Sequence, residues 1–181
     1  MEDEQIMREV RAGDVGKLEL LFDRYHRALF HYFLHVTSDR SASEDLVQDV
    51  FFRILKYRHS YQTGTFRAWM YQVARNVYID HAAKHKAEVA MPEGTMEFTS
   101  PGAPPDRQLQ KKEEAAILRR AMAAMPQEKK EVLIMSRFLD LKYDEIASVM
   151  KCEVGTVKVR VYRALRELSD RFFALTGERA S

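Results

Sequence analysis

The sequence predicts an all-α fold: two small helical domains joined by a flexible Pro/Gly-rich linker, the second built on a helix-turn-helix. Three observations predict it. Apolar residues recur at three- and four-residue spacing along most of the 181 residues, the period of helices with one buried face. No segment shows the strict alternation of a half-buried strand, and no glycine-rich phosphate loop occurs. Four of the five prolines crowd into residues 91–106, which bars a helix there and favours an extended connector. The expected divisions are residues 1–90, 91–106 and 107–181.

Three helices are expected in the first domain. From about Val15 to Val36, the residues Leu18, Leu21, Phe22, Tyr25, Leu29 and Phe33 form a continuous core stripe. The second helix opens with Ser41 and Glu44 at capping-box spacing and buries Leu46, Val47, Val50, Phe51, Ile54 and Leu55. Its other face presents Asp45, Gln48, Asp49, Phe52 and Lys56. A phenylalanine among acids and an amide suits contact with a basic partner, although a solvated acidic face with one stray aromatic gives the same pattern.

The third helix, from about Phe66 to His85, buries Phe66, Met70, Val73, Ala74 and Val77. Its remaining surface carries Arg67, Tyr71, Arg75, Asn76, Tyr78, Asp80, His81 and Lys84, after a loop holding Arg58, His59, Tyr61 and Gln62. Rings interleaved with cations and amides match unpaired nucleic acid: rings stack on bases, amides read their edges, and cations hold phosphates. Trp69 and the tyrosines fit a purely structural role equally well.

In the second domain, residues 141–168 read as two short helices across a tight turn. Ile146, Ala147 and Met150 point inward from the first helix, and Val157, Val161 and Leu165 from the second. Turned outward are Thr156, Val159, Arg160, Tyr162, Arg163 and Arg166, with Lys158 on the flank. A solvated face tolerates arginines but has no use for Val159 and Tyr162. A base-reading face does, because apolar groups touch thymine methyls while arginine pairs with guanine edges. An amphipathic hairpin packed on another protein remains the alternative.

Charge follows the same division. Residues 1–90 hold 13 Lys+Arg against 13 Asp+Glu, residues 91–106 hold three acids and no cation, and residues 107–181 hold 16 against 11. The excess of +5 falls where the helix pattern places a groove reader. No apolar run is long enough to span a membrane, the acidic start lacks the order of a signal peptide, and the single cysteine, Cys152, suits a reducing compartment. A cytoplasmic location is expected. The pairs His31/His35 and His81/His85 stand four apart but lack a third ligand nearby in sequence, so neither a metal nor another cofactor is expected. No nucleophile–base arrangement is visible, and the protein is not expected to be an enzyme.

Four segments in order carry a resemblance: Ser41 to Ile54, Phe66 to Asp80, Tyr143-Asp-Glu-Ile-Ala147 and Val154 to Ala164. With a proline-rich segment between the second and third, they resemble the extracytoplasmic-function class of bacterial RNA polymerase sigma factors over nearly the whole chain. The resemblance implies a non-catalytic subunit that recruits core polymerase to specific promoters. It implies docking on the clamp helices of the largest polymerase subunit through Asp45, Gln48, Asp49, Phe52 and Arg53. It implies melting and holding of the −10 element by Tyr61, Trp69, Arg75, Asn76, Tyr78, Asp80, His81 and Lys84. It implies insertion into the −35 major groove of Thr156, Lys158, Val159, Arg160 and Arg163. An anti-sigma partner and a monomeric state are likewise expected.

The chain also departs from the family pattern. Glu153 and Val159 stand where proline and serine are common, Lys151 where helix-turn-helix turns often have glycine, and the basic tail of the third helix is reduced to Ala82-Ala-Lys-His-Lys86. A stand-alone helix-turn-helix regulator needs neither the acidic face nor the third helix. A helical protein-interaction adaptor predicts no salt-dependent DNA affinity.

Overall fold

The structure, a computed structural model, describes residues 2–62, 64–88 and 105–177. Every regular element among them is helical: α1 (Asp3–Ala12), α2 (Leu18–Thr37), α3 (Arg40–Lys56), α4 (Phe66–Glu88), α5 (Pro105–Ala123), α6 (Gln127–Leu133), α7 (Tyr143–Met150) and α8 (Val154–Thr176). None of them is long and apolar enough to cross a membrane. The expected linker lies outside the described residues as far as 104. Its last two residues do not: Pro105 and Asp106 open α5. Proline is compatible with a helix start, where its missing N–H has no intrahelical role, so the proline signal overran the boundary.

Helix α1 escaped the sequence reading because its apolar set is only three residues. Ile6, Met7 and Val10 are completely buried against α2 and α4. The helix stops at Gly13, whose φ of 119° is open to glycine without strain. The next helix begins at Leu18 rather than Val15, because residues Val15–Lys17 form a 3₁₀ turn. The expected stripe on α2 is largely kept, but Phe22 sits at its edge, partly exposed, with its ring 4.9 Å from that of Phe51.

Helix α3 is capped by Asp39, not Ser41. The Asp39 carboxylate accepts the Ala42 N–H at 2.9 Å from an extended backbone, and Ser41 falls inside the first turn. Glu44 then pairs with Arg40, 3.2 Å away, instead of closing a capping box. Inward, α3 buries Leu46, Val47, Val50, Phe51 and Ile54 against α2 and α4.

In the second domain, α5, α6 and α7 all pack on α8. Between α6 and α7 a π-helical turn, Ile134–Phe138, widens the chain's path. It turns Ile134 and Met135 into the core and leaves Phe138 half exposed. Helix α7 starts with the Glu145 carboxylate accepting the Lys142 N–H at 2.9 Å. It ends at Lys151, which adopts the left-handed conformation (φ 53°, ψ 50°), and the following Cys152 N–H returns to the Ala147 carbonyl. Cys152 is a free thiol, half buried against the core.

The two domains pack together. Helices α2 and α4 of the first meet α6, the π turn and α7 of the second.

Candidate nucleic-acid interface

Helix α3 turns Asp45, Gln48 and Phe52 outward, with Phe52 62% exposed, because its inward positions are already filled by the apolar stripe. Asp49 lies 3.3 Å from Arg53, one turn on, and Arg53 also reaches Asp80 of α4 at 2.7 Å. All five residues singled out on this helix therefore lie on one continuous face, and that face runs onto α4.

On α4, Asn76, Asp80 and Lys84 are exposed, while Trp69, Arg75, Tyr78 and His81 are half buried. Tyr78 donates to the Val36 carbonyl at 3.5 Å, so its ring leans on α2. The His81 ring lies 4.5 Å from that of His85, and burial followed by the neighbouring imidazole holds its pKa below the usual histidine range. No group of three metal-ligating side chains occurs among the described residues.

Two residues depart from the expected surface. Tyr61 is 3% exposed: its hydroxyl donates to the Gly64 carbonyl at 2.9 Å, and its ring packs among Trp69 and Phe66. It fastens the loop before α4 and has no face left for a base. Tyr71 is likewise buried, and that burial pushes its hydroxyl up to about 12. Both fall on polar, aromatic stretches where a ring's exposure is not legible from spacing.

The outward face of α8 matches the sequence reading. Thr156, Lys158, Val159, Tyr162, Arg163 and Arg166 are exposed, Tyr162 by 66%, while Val157, Val161 and Ala164 are buried. Leu165 is only half buried, because Ala164 takes the inner position. Arg160, half buried, pairs with Glu128 of α6, 2.7 Å away. An amphipathic helix that begins at Val154, directly after the tight turn at Lys151, thus offers a basic face with two apolar groups of the size a major groove admits.

Comparison with known proteins decides the family. Residues 21–88 match the family described as Sigma-70 region 2, and residues 115–168 match Sigma-70, region 4. The chain is 30% identical over 137 residues to the ECF RNA polymerase sigma factor EcfG of Rhodopseudomonas palustris, covering 75% of this chain and 74% of that protein. The chain belongs to the ECF group of RNA polymerase sigma factors. It is also 29% identical over 154 residues to the ECF sigma factor SigM of Bacillus subtilis, covering 83% of this chain and 92% of that protein. In fold, this sigma factor resembles RpoE of Bartonella quintana, solved with the anti-sigma factor NepR, at a TM-score of 0.69 and 22% identity, covering 84% and 94% of the two chains. As a sigma factor it acts without catalysis.

Sequence reasoning missed the acidic residues of α6. Glu131 is 2% exposed and faces Arg75 of α4, with Oε2 3.4 Å from Nε. Burial, only partly offset by that guanidinium, raises the Glu131 carboxyl above the usual range. Its sequence signal is a glutamate beside the buried Val132-Leu133 run, at a position that the inward face of an amphipathic helix would fill with an apolar group.

Proposed function

We propose that this sigma factor docks on core polymerase through the α3 face of Asp45, Gln48, Asp49, Phe52 and Arg53. The exposed Phe52, one helical turn from Gln48 and Asp49, carries this reading: such a ring is a poor neighbour for water and a good anchor for a basic, partly apolar partner. We assign the −10 element to residues 1–90, through Trp69, Arg75, Asn76, Tyr78, Asp80, His81 and Lys84. Asn76 is the leading contact for an extruded base, since an exposed amide offers both donor and acceptor. Residues 107–181 read the −35 element, with Thr156, Lys158, Val159, Arg160 and Arg163 in the major groove. Val159 favours a thymine methyl where a serine would favour a polar base edge. The likeness to a factor solved with its anti-sigma partner supports an anti-sigma protein as a further ligand.

Run-off transcription tests the assignment. Purified bacterial core polymerase over a genomic promoter library should gain discrete start sites sharing two spaced elements when this protein is added. Absence of new starts, together with no co-purification of polymerase, would sink it.

A further inference from the structure

Helix α1 lies ahead of the segment that matches region 2, which begins at residue 21. It is held on two sides. Ile6, Met7 and Val10 are completely buried, and Asp3 pairs with Arg24 of α2 while accepting the Tyr25 hydroxyl. Toward the start of α4, two more side chains of α1 reach backbone atoms. The Glu4 carboxylate accepts the Phe66 N–H at 2.9 Å, and the Arg11 guanidinium donates to the Tyr61 carbonyl at 3.1 Å.

These two contacts grip the two ends of one loop. Phe66 opens α4, and its N–H is among those that a helix start leaves without an intrahelical partner. Thr65 satisfies another of them by accepting the Ala68 N–H, and Glu4 satisfies that of Phe66 from a different helix, with a negative charge that suits a helix N-terminus. Between the two grips, Gln62, Gly64 and Thr65 are exposed, so the loop takes its position from its ends. Trp69 is seated by the same two residues. Its ring lies 5.3 Å from that of Tyr61 and 6.2 Å from that of Phe66. Asn76 follows two turns further along the same helix.

We infer that Glu4 and Arg11 are positioning residues for −10 recognition: α1 is a brace that fixes the backbone at Tyr61 and Phe66, and through their rings the place of Trp69. Discrimination among −10 bases then depends on two side chains that act through the loop rather than on the strand. The inference rests on the assignment of Trp69 to the −10 element. Burial of Ile6, Met7 and Val10 keeps α1 seated without either side chain, and Arg11 is exposed and Glu4 half buried, so each can be truncated with the helix in place.

Trp69 is the single tryptophan of the chain, so its fluorescence reports the brace directly. Full-length wild type, Glu4→Ala, Glu4→Gln and Arg11→Ala are compared by acrylamide quenching and by run-off transcription with core polymerase on templates substituted one base at a time. Glu4→Ala and Arg11→Ala should keep wild-type helicity by circular dichroism while Trp69 is quenched about twofold more readily. Their discrimination among −10 bases should fall about tenfold, with discrimination among −35 bases unchanged. Glu4→Gln should behave as wild type in both assays, because its amide oxygen still accepts the Phe66 N–H. Unchanged quenching in both alanine variants overturns the brace. An equal loss on every template overturns the positioning role, and a Glu4→Gln protein that behaves like Glu4→Ala overturns the hydrogen bond as its cause. Failure of wild type to direct new transcripts would instead sink the promoter assignment, which the quenching result does not touch.

Discussion

Arg53 and Asp80 are joined across helices: the guanidinium of α3 lies 2.7 Å from the carboxylate of α4, with Asp49 as its second partner at 3.3 Å. A residue of the proposed docking face is thereby tied to one of the proposed strand-holding surface. Asp80 is half exposed, and exposed ion pairs contribute under ~1 kcal/mol. Asp80→Asn should therefore lower Tm by a few degrees at most. Open-complex formation should fall much further, by about tenfold, because Arg53 loses the group that fixes it between the two surfaces. Thermal melts and run-off transcription on the same samples check this. A transcription loss no larger than the stability loss implies would show the pair to be structural only.

Phe52→Ala separates docking from folding. The ring is 62% exposed, so little apolar burial is lost on truncation and Tm should stay near that of wild type. A central aromatic anchor in an interface is worth 2 kcal/mol or more, so affinity for core polymerase should drop by about thirtyfold. Fluorescence anisotropy with labelled sigma and purified core measures it. Unchanged affinity would move the docking surface elsewhere.

The parts of this fold that were legible in sequence are those where one apolar stripe decides the outcome. Helices α2, α3, α4 and the α7–α8 pair each carry enough periodic residues to fix which face turns inward. Helix α1 was missed because Ile6, Met7 and Val10 are too few to stand out from the acids around them. The cap of α3 went to Asp39 because aspartate and serine are equally good caps, and only the extended backbone at Asp39 chooses between them. At the candidate site, Asn76, Phe52 and the α8 residues were legible as groups left over once the core was filled. Tyr61 and Tyr71 were not, since a tyrosine's ring and hydroxyl suit either environment. Glu131 was invisible for a different reason: its partner, Arg75, lies 56 residues away on another domain.

Lys151 holds a left-handed conformation at the end of α7, with φ 53° and ψ 50°. That geometry costs a side chain about 1 kcal/mol, and glycine adopts it freely. Lys151→Gly should raise stability by roughly that amount, less a few tenths for the larger entropy of the unfolded glycine. Chemical denaturation reads the gain in midpoint at constant slope. A loss of stability would mean that the lysine side chain makes a compensating contact.

Acidification should loosen the domain junction through His35. Burial, with the neighbouring His31 adding to it, holds the His35 pKa below its ordinary 6.5. The folded protein then binds fewer protons at this site than the unfolded chain. The contribution to stability is full above pH ~6.5 and is lost as pH falls from there through the folded pKa. Glu131 acts with the opposite sign: its raised carboxyl makes the folded state gain stability as pH falls through that raised value, complete by about 4.5. Stability measured by denaturant at pH 7.5 and pH 5 isolates the His35 contribution by difference: His35→Leu should lose less stability, or gain more, than wild type on going to pH 5. An identical change in wild type and His35→Leu would show that His35 does not carry the dependence.

The two DNA-reading surfaces should fail separately. Arg160 in a groove pairs with a guanine edge, a contact worth about 1–3 kcal/mol of base discrimination. Arg160→Ala should cost about five- to 150-fold on templates with an intact −35 element, and should cost little once that element is scrambled. Asn76→Ala should do the same for the −10 element, where one amide holds one extruded base. Glu128 competes with DNA for Arg160 but is itself 60% exposed, so the pair it forms is weak and readily displaced. Glu128→Gln should therefore strengthen −35-dependent initiation by a few-fold at low salt, with the gain fading as salt screens the pair. Run-off transcription over templates altered in one element at a time measures all three variants. If Arg160→Ala and Asn76→Ala weaken the same element, the division of labour between α4 and α8 is wrong.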